Sequence, residues 1–291
     1  MTLRTLRNLL FLLPALLAAA CATPGPVLIE SVGTMRAGLS VAREQTSTVF
    51  ADVEASMRET SIRVKVDDPR LSLRESEFPY AIGAETTGQW MAAFDVFDRY
   101  LTALQKLVDP ARANRTATEL NALGTELQDG PLAVRLPKGT APVFAQLGRA
   151  FMQISAERSA AKAMAKADPA VQLVFSTMAD AIGTSNDQDL RGTVWAFWNE
   201  RVADVTADYA HLEPSQADQR RKAIERFLSL RDQRDKDIAR LVNLRASFLA
   251  LGEMHAAAAR GDGGTALFWI GRLSDWLKDA KAGIDAEGRR S

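Results

Sequence analysis

The chain has almost no cysteine, very little histidine and no net charge. One cysteine in 291 residues excludes an intrachain disulfide framework. Two histidines, His211 and His255, supply too few imidazoles for a histidine-rich metal site, and neither sits in an H-E-x-x-H spacing. Lys and Arg number 36 and are matched by 36 Asp and Glu, so the chain lacks the basic excess that coats a polyanion, and nucleic acid is not an expected partner. With 47% hydrophobic and 25% charged residues, the composition excludes both a disordered chain and a multi-span membrane protein and calls for a packed core. No segment of 20–50 residues repeats, which disfavours a solenoid.

What is present begins at the N-terminus. Arg4 and Arg7 precede an apolar run over residues 9–17, followed by Ala18, Ala19 and Ala20. This is the order of a secretory signal peptide, and the run is too short to serve as a membrane-spanning anchor. The sole cysteine comes next. Leu17-Ala18-Ala19-Ala20-Cys21 resembles the lipobox of bacterial lipoproteins, with Ala18 where that family more often has Leu. The resemblance covers residues 1–21 alone, and no family is identified for the rest of the chain. It implies that the Cys21 thiol receives a diacylglyceryl group, that the signal is cut between Ala20 and Cys21, and that the new amine is acylated, for instance with palmitate. Residue 22 is Ala rather than Asp, which by the same resemblance implies sorting to the outer membrane of a Gram-negative cell, facing the periplasm. A multiply acylated cysteine holds a protein to a bilayer far more firmly than one chain can. The expected organisation is a signal peptide at 1–20, a lipidated cysteine and tether at 21–26, and one helical domain over 27–291, with two subdomains divided near 130–142 as the alternative.

The rest of the chain reads as all-α. Leu28, Val32, Met35, Leu39, Ala42, Thr46, Val49, Val53 and Met57 alternate mostly by four and three, the coiled-coil seam of a long helix reaching about residue 64. Between residues 64 and 88 the period breaks. Alternation in Arg63-Val64-Lys65-Val66 and Leu71-Ser72-Leu73 fits either a small irregular hairpin near 62–75 or a loop. The helical period returns at Trp90, Phe94, Phe97, Leu101, Leu104 and Val108, then at Leu120, Leu123 and Leu127. Residues 130–142 carry three prolines and two glycines, the strongest internal break. Beyond it Phe144, Leu147, Phe151, Ile154 and Ala161 mark one stripe, and Asp168-Pro169 reads as the capped start of the next, with Val171, Val174, Phe175, Met178 and Ile182. Asn186 or Asp187 is placed to cap a helix carrying Leu190, Val194, Phe197, Trp198, Val205 and Tyr209. Pro214-Ser215 opens the longest candidate, to about Arg260, with Ile224, Phe227, Leu228, Ile238, Leu241, Val242, Phe248 and Leu249 on its apolar side. A last helix with Leu267, Ile270, Leu273, Leu277 and Ile284 follows 261–264. Long helices near both ends predict an elongated antiparallel bundle whose spine is the first and seventh helices.

Motifs for chemistry are few. Ser159-Ala160-Ala161-Lys162 matches S-x-x-K, in which a serine nucleophile lies one turn from a lysine. Its companion motifs appear only scrambled, as Ser185-Asn186-Asp187 and Lys138-Gly139-Thr140, so a solvated helix face is the simpler reading. Gly261-Asp262-Gly263-Gly264 lacks the preceding strand and following Lys-Ser/Thr of a phosphate loop and reads as a helix connection. Residues 220–245 carry nine basic and four acidic side chains, and Arg220, Arg221, Arg231 and Arg234 are candidates to meet an anionic lipid or cell-wall surface. Trp195, Phe197 and Trp198, like Phe268, Trp269 and Trp276, suit a core first and a membrane interface second. The expectation is a non-enzymatic, lipid-anchored scaffold or interaction protein of the bacterial envelope, without metal or cofactor beyond the lipid on Cys21. Its partner is an envelope protein or a second copy. The rival expectations are a bundle that remodels or permeabilises a bilayer, suggested by the apolar run 266–270, and an unrecognised periplasmic enzyme.

Overall fold

A computed structural model describes residues 25–67, 73–78, 82–107, 112–130, 135–137, 139–157 and 159–287. Cys21, Ala20 and the signal segment lie outside these residues. The described residues form eight helices: α1 (Gly25–Asp67), α2 (Ala84–Leu107), α3 (Ala113–Asp129), α4 (Ala141–Ile154), α5 (Ala160–Ile182), α6 (Asp189–Ala210), α7 (Ala217–Arg260) and α8 (Gly263–Glu287). A 3-10 turn at Glu75–Glu77 joins α1 to α2, and no strand occurs among the described residues. The chain is an all-α bundle.

The seam of α1 holds. Val32, Met35, Leu39, Ala42, Thr46, Val49, Val53 and Met57 are all buried. Thr46 stays in this row because its hydroxyl donates to the Ala42 carbonyl at 2.7 Å, so no polar group is left unpaired. The helix also exceeds expectation at both ends. Gly25 and Pro26 form its first turn rather than a tether, because a first-turn proline sacrifices no helical hydrogen bond. At the other end residues 62–67 continue the helix, so no hairpin begins there.

The spine is the antiparallel pair α1 and α7, of 43 and 44 residues, about 65 Å each at 1.5 Å per residue. Its register is read from three contacts spaced seven residues apart on both helices. Gly38 meets Met254 so closely that an added Cβ would lie 2.5 Å from the methionine methyl. Ser247 donates to Gln45 at 2.6 Å, and Arg240 pairs with Asp52 at 3.3 Å. Heptad steps keep one stripe of each helix in contact over four turns. α2 and α5 close the core with aromatic layers: Trp90 packs on Phe50 and Phe248 at 5.5 and 5.2 Å, and Phe97 stacks on Phe175 at 4.3 Å.

Three expected boundaries move. Ala161 belongs to α5, because α4 ends at Ile154. α5 begins at Ala160 and runs through Pro169, instead of starting at Asp168-Pro169. The proline costs a backbone hydrogen bond, a loss of about 3 kcal/mol, which burial of Ala160, Ala163, Met164 and Ala167 in the preceding turns offsets. α6 starts after Gln188, which contributes no side-chain cap, so neither Asn186 nor Asp187 caps it. On either side of the proline-rich break of 130–142, α3 and α4 meet back to back, each of Gly124 and Gly148 lying where a Cβ would come within 2.6 Å of the other's carbonyl.

Candidate functional site

The S-x-x-K serine has a structural task. Ser159 is the N-cap of α5 and accepts from the Lys162 amide, the bond a helix start requires. The loop at Gly261 is a helix C-cap in the left-handed region, φ 76°, where glycine carries no Cβ penalty.

His255 is not at the surface. Its side chain is wholly buried and links three helices. Its Nδ1–H donates to the Asp168 carboxylate of α5 at 2.7 Å, and its Nε2 accepts from the Tyr100 hydroxyl of α2 at 3.1 Å. A carboxylate only accepts, which assigns the tautomer. Tyr100 is itself buried and stacked on Phe151 at 4.7 Å. Burial and the nearby Asp168 charge push its phenol well above the usual tyrosine range. Burial also works to raise the Asp168 carboxyl, but the hydrogen bonds from His255 and Gln172 and the Arg260 charge outweigh it, so its pKa lies below the ordinary value. The Tyr–His–Asp order resembles a proton relay, yet Tyr100 and His255 face the core, and only Asp168, with 26% of its side chain exposed, reaches the surface. Sequence reading missed this site because nothing local joins residues 100, 168 and 255.

A second polar cluster lies further along the spine. Asp237 is fully buried and accepts from Ser56 at 2.6 Å, Arg240 at 3.1 Å and Gln233 at 3.2 Å. Burial pushes its carboxyl up to about 6, against the pull of Ser56 and Arg240. Arg240 bridges Asp237 to Asp52 and so ties α7 to α1.

Beyond this cluster the spine leaves the main core. From residue 206 to residue 236, no side chain of α6 or α7 is fully buried. Here the C-terminal end of α1, α6 and the first half of α7 enclose a cleft of about 440 Å³. Its apolar lining is Val64, Val205 and Leu230, and its charged lining is Arg63, Arg201 and Arg226 against Asp204, Asp208 and Glu225. Arg201, Asp204, Val205 and Asp208 share one stripe of α6 at helical spacing.

The four singled-out arginines lie on this arm but face different ways. Arg220 donates to the Tyr209 hydroxyl at 2.7 Å and covers its ring. Arg221 pairs with Glu225 at 3.0 Å, and Arg231 approaches Asp232 at 3.9 Å, both largely exposed. Arg234 is turned inward over Trp195, 4.3 Å from the ring centroid, and donates to Asn199 at 2.9 Å. The aromatic groups divide similarly: Trp198 and Phe197 are buried, whereas Phe268 is 59% exposed beside Leu267 at 56%.

Among the described residues no group of His, Cys, Asp and Glu could hold a metal ion, and no helix is long and apolar enough to cross a membrane. No protein-family model, curated protein or solved structure matches the chain.

Proposed function

We propose that the chain is a lipid-anchored scaffold or interaction module of the bacterial envelope, held by Cys21 at the periplasmic face of the outer membrane and devoid of catalysis. The observation that carries this reading is the order of the first segments: Arg4 and Arg7, the apolar run 9–17, three alanines and the sole cysteine. The fold is consistent with it. The described part of α1 starts at Gly25, four residues after the cysteine in sequence, and its far end stands about 65 Å along the helix axis. The charged cleft lies at that far end, away from the lipid, where a partner in the periplasm would meet it. The pairs Gln45 with Ser247 and Asp52 with Arg240 fix the register of the two long helices, which supports a structural role.

Fractionation with protease protection tests the reading. The wild-type protein should sediment with outer membrane and be cut by added protease only after the outer membrane is opened. Recovery in the soluble periplasm would overturn it.

A second reading, a bundle that disturbs bilayers, is favoured by the exposed Leu267 and Phe268 near the anchored end of the spine. Dye-loaded vesicles separate the two: purified non-acylated protein should cause no leakage if the chain is a scaffold.

A further inference from the structure

The far-end cleft has two opposite charges without a hydrogen-bonded side-chain partner among the described residues, and they lie on one helix. Arg201 lines the cleft with only 16% of its side chain exposed, yet none of its N–H groups makes a hydrogen bond among the described residues. It makes only long ion pairs within its own helix, to Asp204 and Glu200 at 3.6 and 3.7 Å, and its guanidinium lies over Phe197 at 5.1 Å. Its Nε is buried with no acceptor. A guanidinium is a planar fork of donors matched to a carboxylate, and leaving those donors without a hydrogen-bond acceptor in a half-buried site is costly. Two turns further along α6, Asp208 lines the same cleft and its carboxylate has no ion-pair or hydrogen-bond partner among the described residues. Between them lies the apolar Val205.

We propose that this cleft binds a short peptide with both termini free, its carboxylate on Arg201 and its ammonium on Asp208. The lining has three cations and three anions, which disfavours a ligand of one sign and suits a zwitterion. Size selects the length. Seven residues along a helix span about 10 Å, and an extended peptide covers about 3.3–3.6 Å per residue, so a tripeptide bridges the two groups while free alanine does not. The cleft volume of about 440 Å³ holds a ligand of that size. Arg63, whose partner Glu59 lies on its own helix, lines the cleft from α1. The inference does not depend on the lipid anchor, because it concerns the folded body alone.

The test is calorimetric titration of the detergent-solubilised full-length chain with tri-alanine, N-acetyl-tri-alanine, tri-alanine amide, free alanine and inorganic phosphate. Tri-alanine should bind, and blocking either terminus should weaken it about tenfold or more, the scale of one hydrogen-bonded charge. Free alanine and phosphate should bind more weakly than tri-alanine. Arg201→Gln should abolish discrimination between the free acid and the amide. Asp208→Asn, at an exposed position where folding is not at risk, should abolish discrimination between the free amine and its acetyl form. Equal affinity for blocked and free peptides, phosphate binding tighter than tri-alanine, or no binding of tri-alanine at millimolar concentration would each overturn the proposal. Loss of anchoring in cells would leave this result unaffected, so the two readings fail separately.

Discussion

Ser247 of α7 donates a 2.6 Å hydrogen bond to Gln45 of α1 across 202 residues of sequence, inside the seam that sets how the two long helices slide on each other. Both side chains are buried, and the Gln45 Nε2 has no partner, so the bond is the only side-chain pairing this amide makes among the described residues.

Ser247→Ala should therefore destabilise the fold by about 1–3 kcal/mol, the cost of leaving a buried acceptor unmade. Gln45→Leu combined with Ser247→Ala should recover most of that loss, because removing both partners is nearly neutral. Urea unfolding followed by helical circular dichroism measures both; a double variant weaker than the single one by the full Gln45 loss would contradict the pairing.

Tyr100→Phe keeps the ring on Phe151 and deletes only the hydroxyl bonded to His255. It should cost about 1–3 kcal/mol, the penalty for stranding the buried Nε2. The raised phenol gives a second readout. A tyrosine whose folded pKa exceeds its unfolded value contributes stability below pH 10 that is lost as pH climbs above it. Phenolate absorbance from Tyr100 should thus appear only together with loss of helicity, and early ionisation in the folded protein would refute its burial.

How much of this was legible in the sequence depends on the range of the interaction. The α1 seam and the aromatic stripes of α2 and α5 were readable because a helix repeats its buried face every three or four residues, and Val32 through Met57 obey that period. The pairing of α1 with α7 was readable as a consequence of length alone, while its register was not, since it rests on contacts such as Gly38 with Met254 that no local pattern encodes. Pro169 misled because local preference places it at a helix start, and tertiary burial overrode that preference. The distal half of α7 misled in the opposite sense: Ile224 and Leu228 fit the apolar period yet remain 47% and 42% exposed, because no helix among the described residues covers that side of the arm. Of the candidate site, the basic character of α7 was visible, but the Arg201 and Asp208 stripe was not, since one cation and one anion two turns apart carry no motif.

Asp237 makes stability fall as pH rises. Its carboxyl titrates at about 6 in the folded chain against 3.8 when unfolded, so the folded state holds the extra proton between those values and loses that advantage above them. Asp237→Asn cannot ionise. The stability of the variant relative to wild type should therefore improve from pH 4 to pH 7 by on the order of 2–3 kcal/mol. Urea midpoints at the two pH values test this, and a difference independent of pH would show that the carboxyl is not raised.

Gly148→Ala should destabilise by about 1–3 kcal/mol. Its Cβ would lie 2.6 Å from the Gly124 carbonyl, a backbone atom that cannot swing aside, so α3 and α4 would have to part. Gly271→Ala, with nothing within 4 Å, is the matched control and should be neutral or slightly stabilising. Thermal melts of the two variants give the comparison.

The lipid on Cys21 is the claim on which the envelope role stands. Under this reading sulfur is required, because the diacylglyceryl group would be joined through a thioether, and Cys21 is the only thiol in the chain. Cells expressing wild type or Cys21→Ser are grown with radiolabelled palmitate and the purified proteins compared. The account predicts label on the wild type and none on Cys21→Ser, with identical helical spectra for the two. Wild-type protein without label would contradict it.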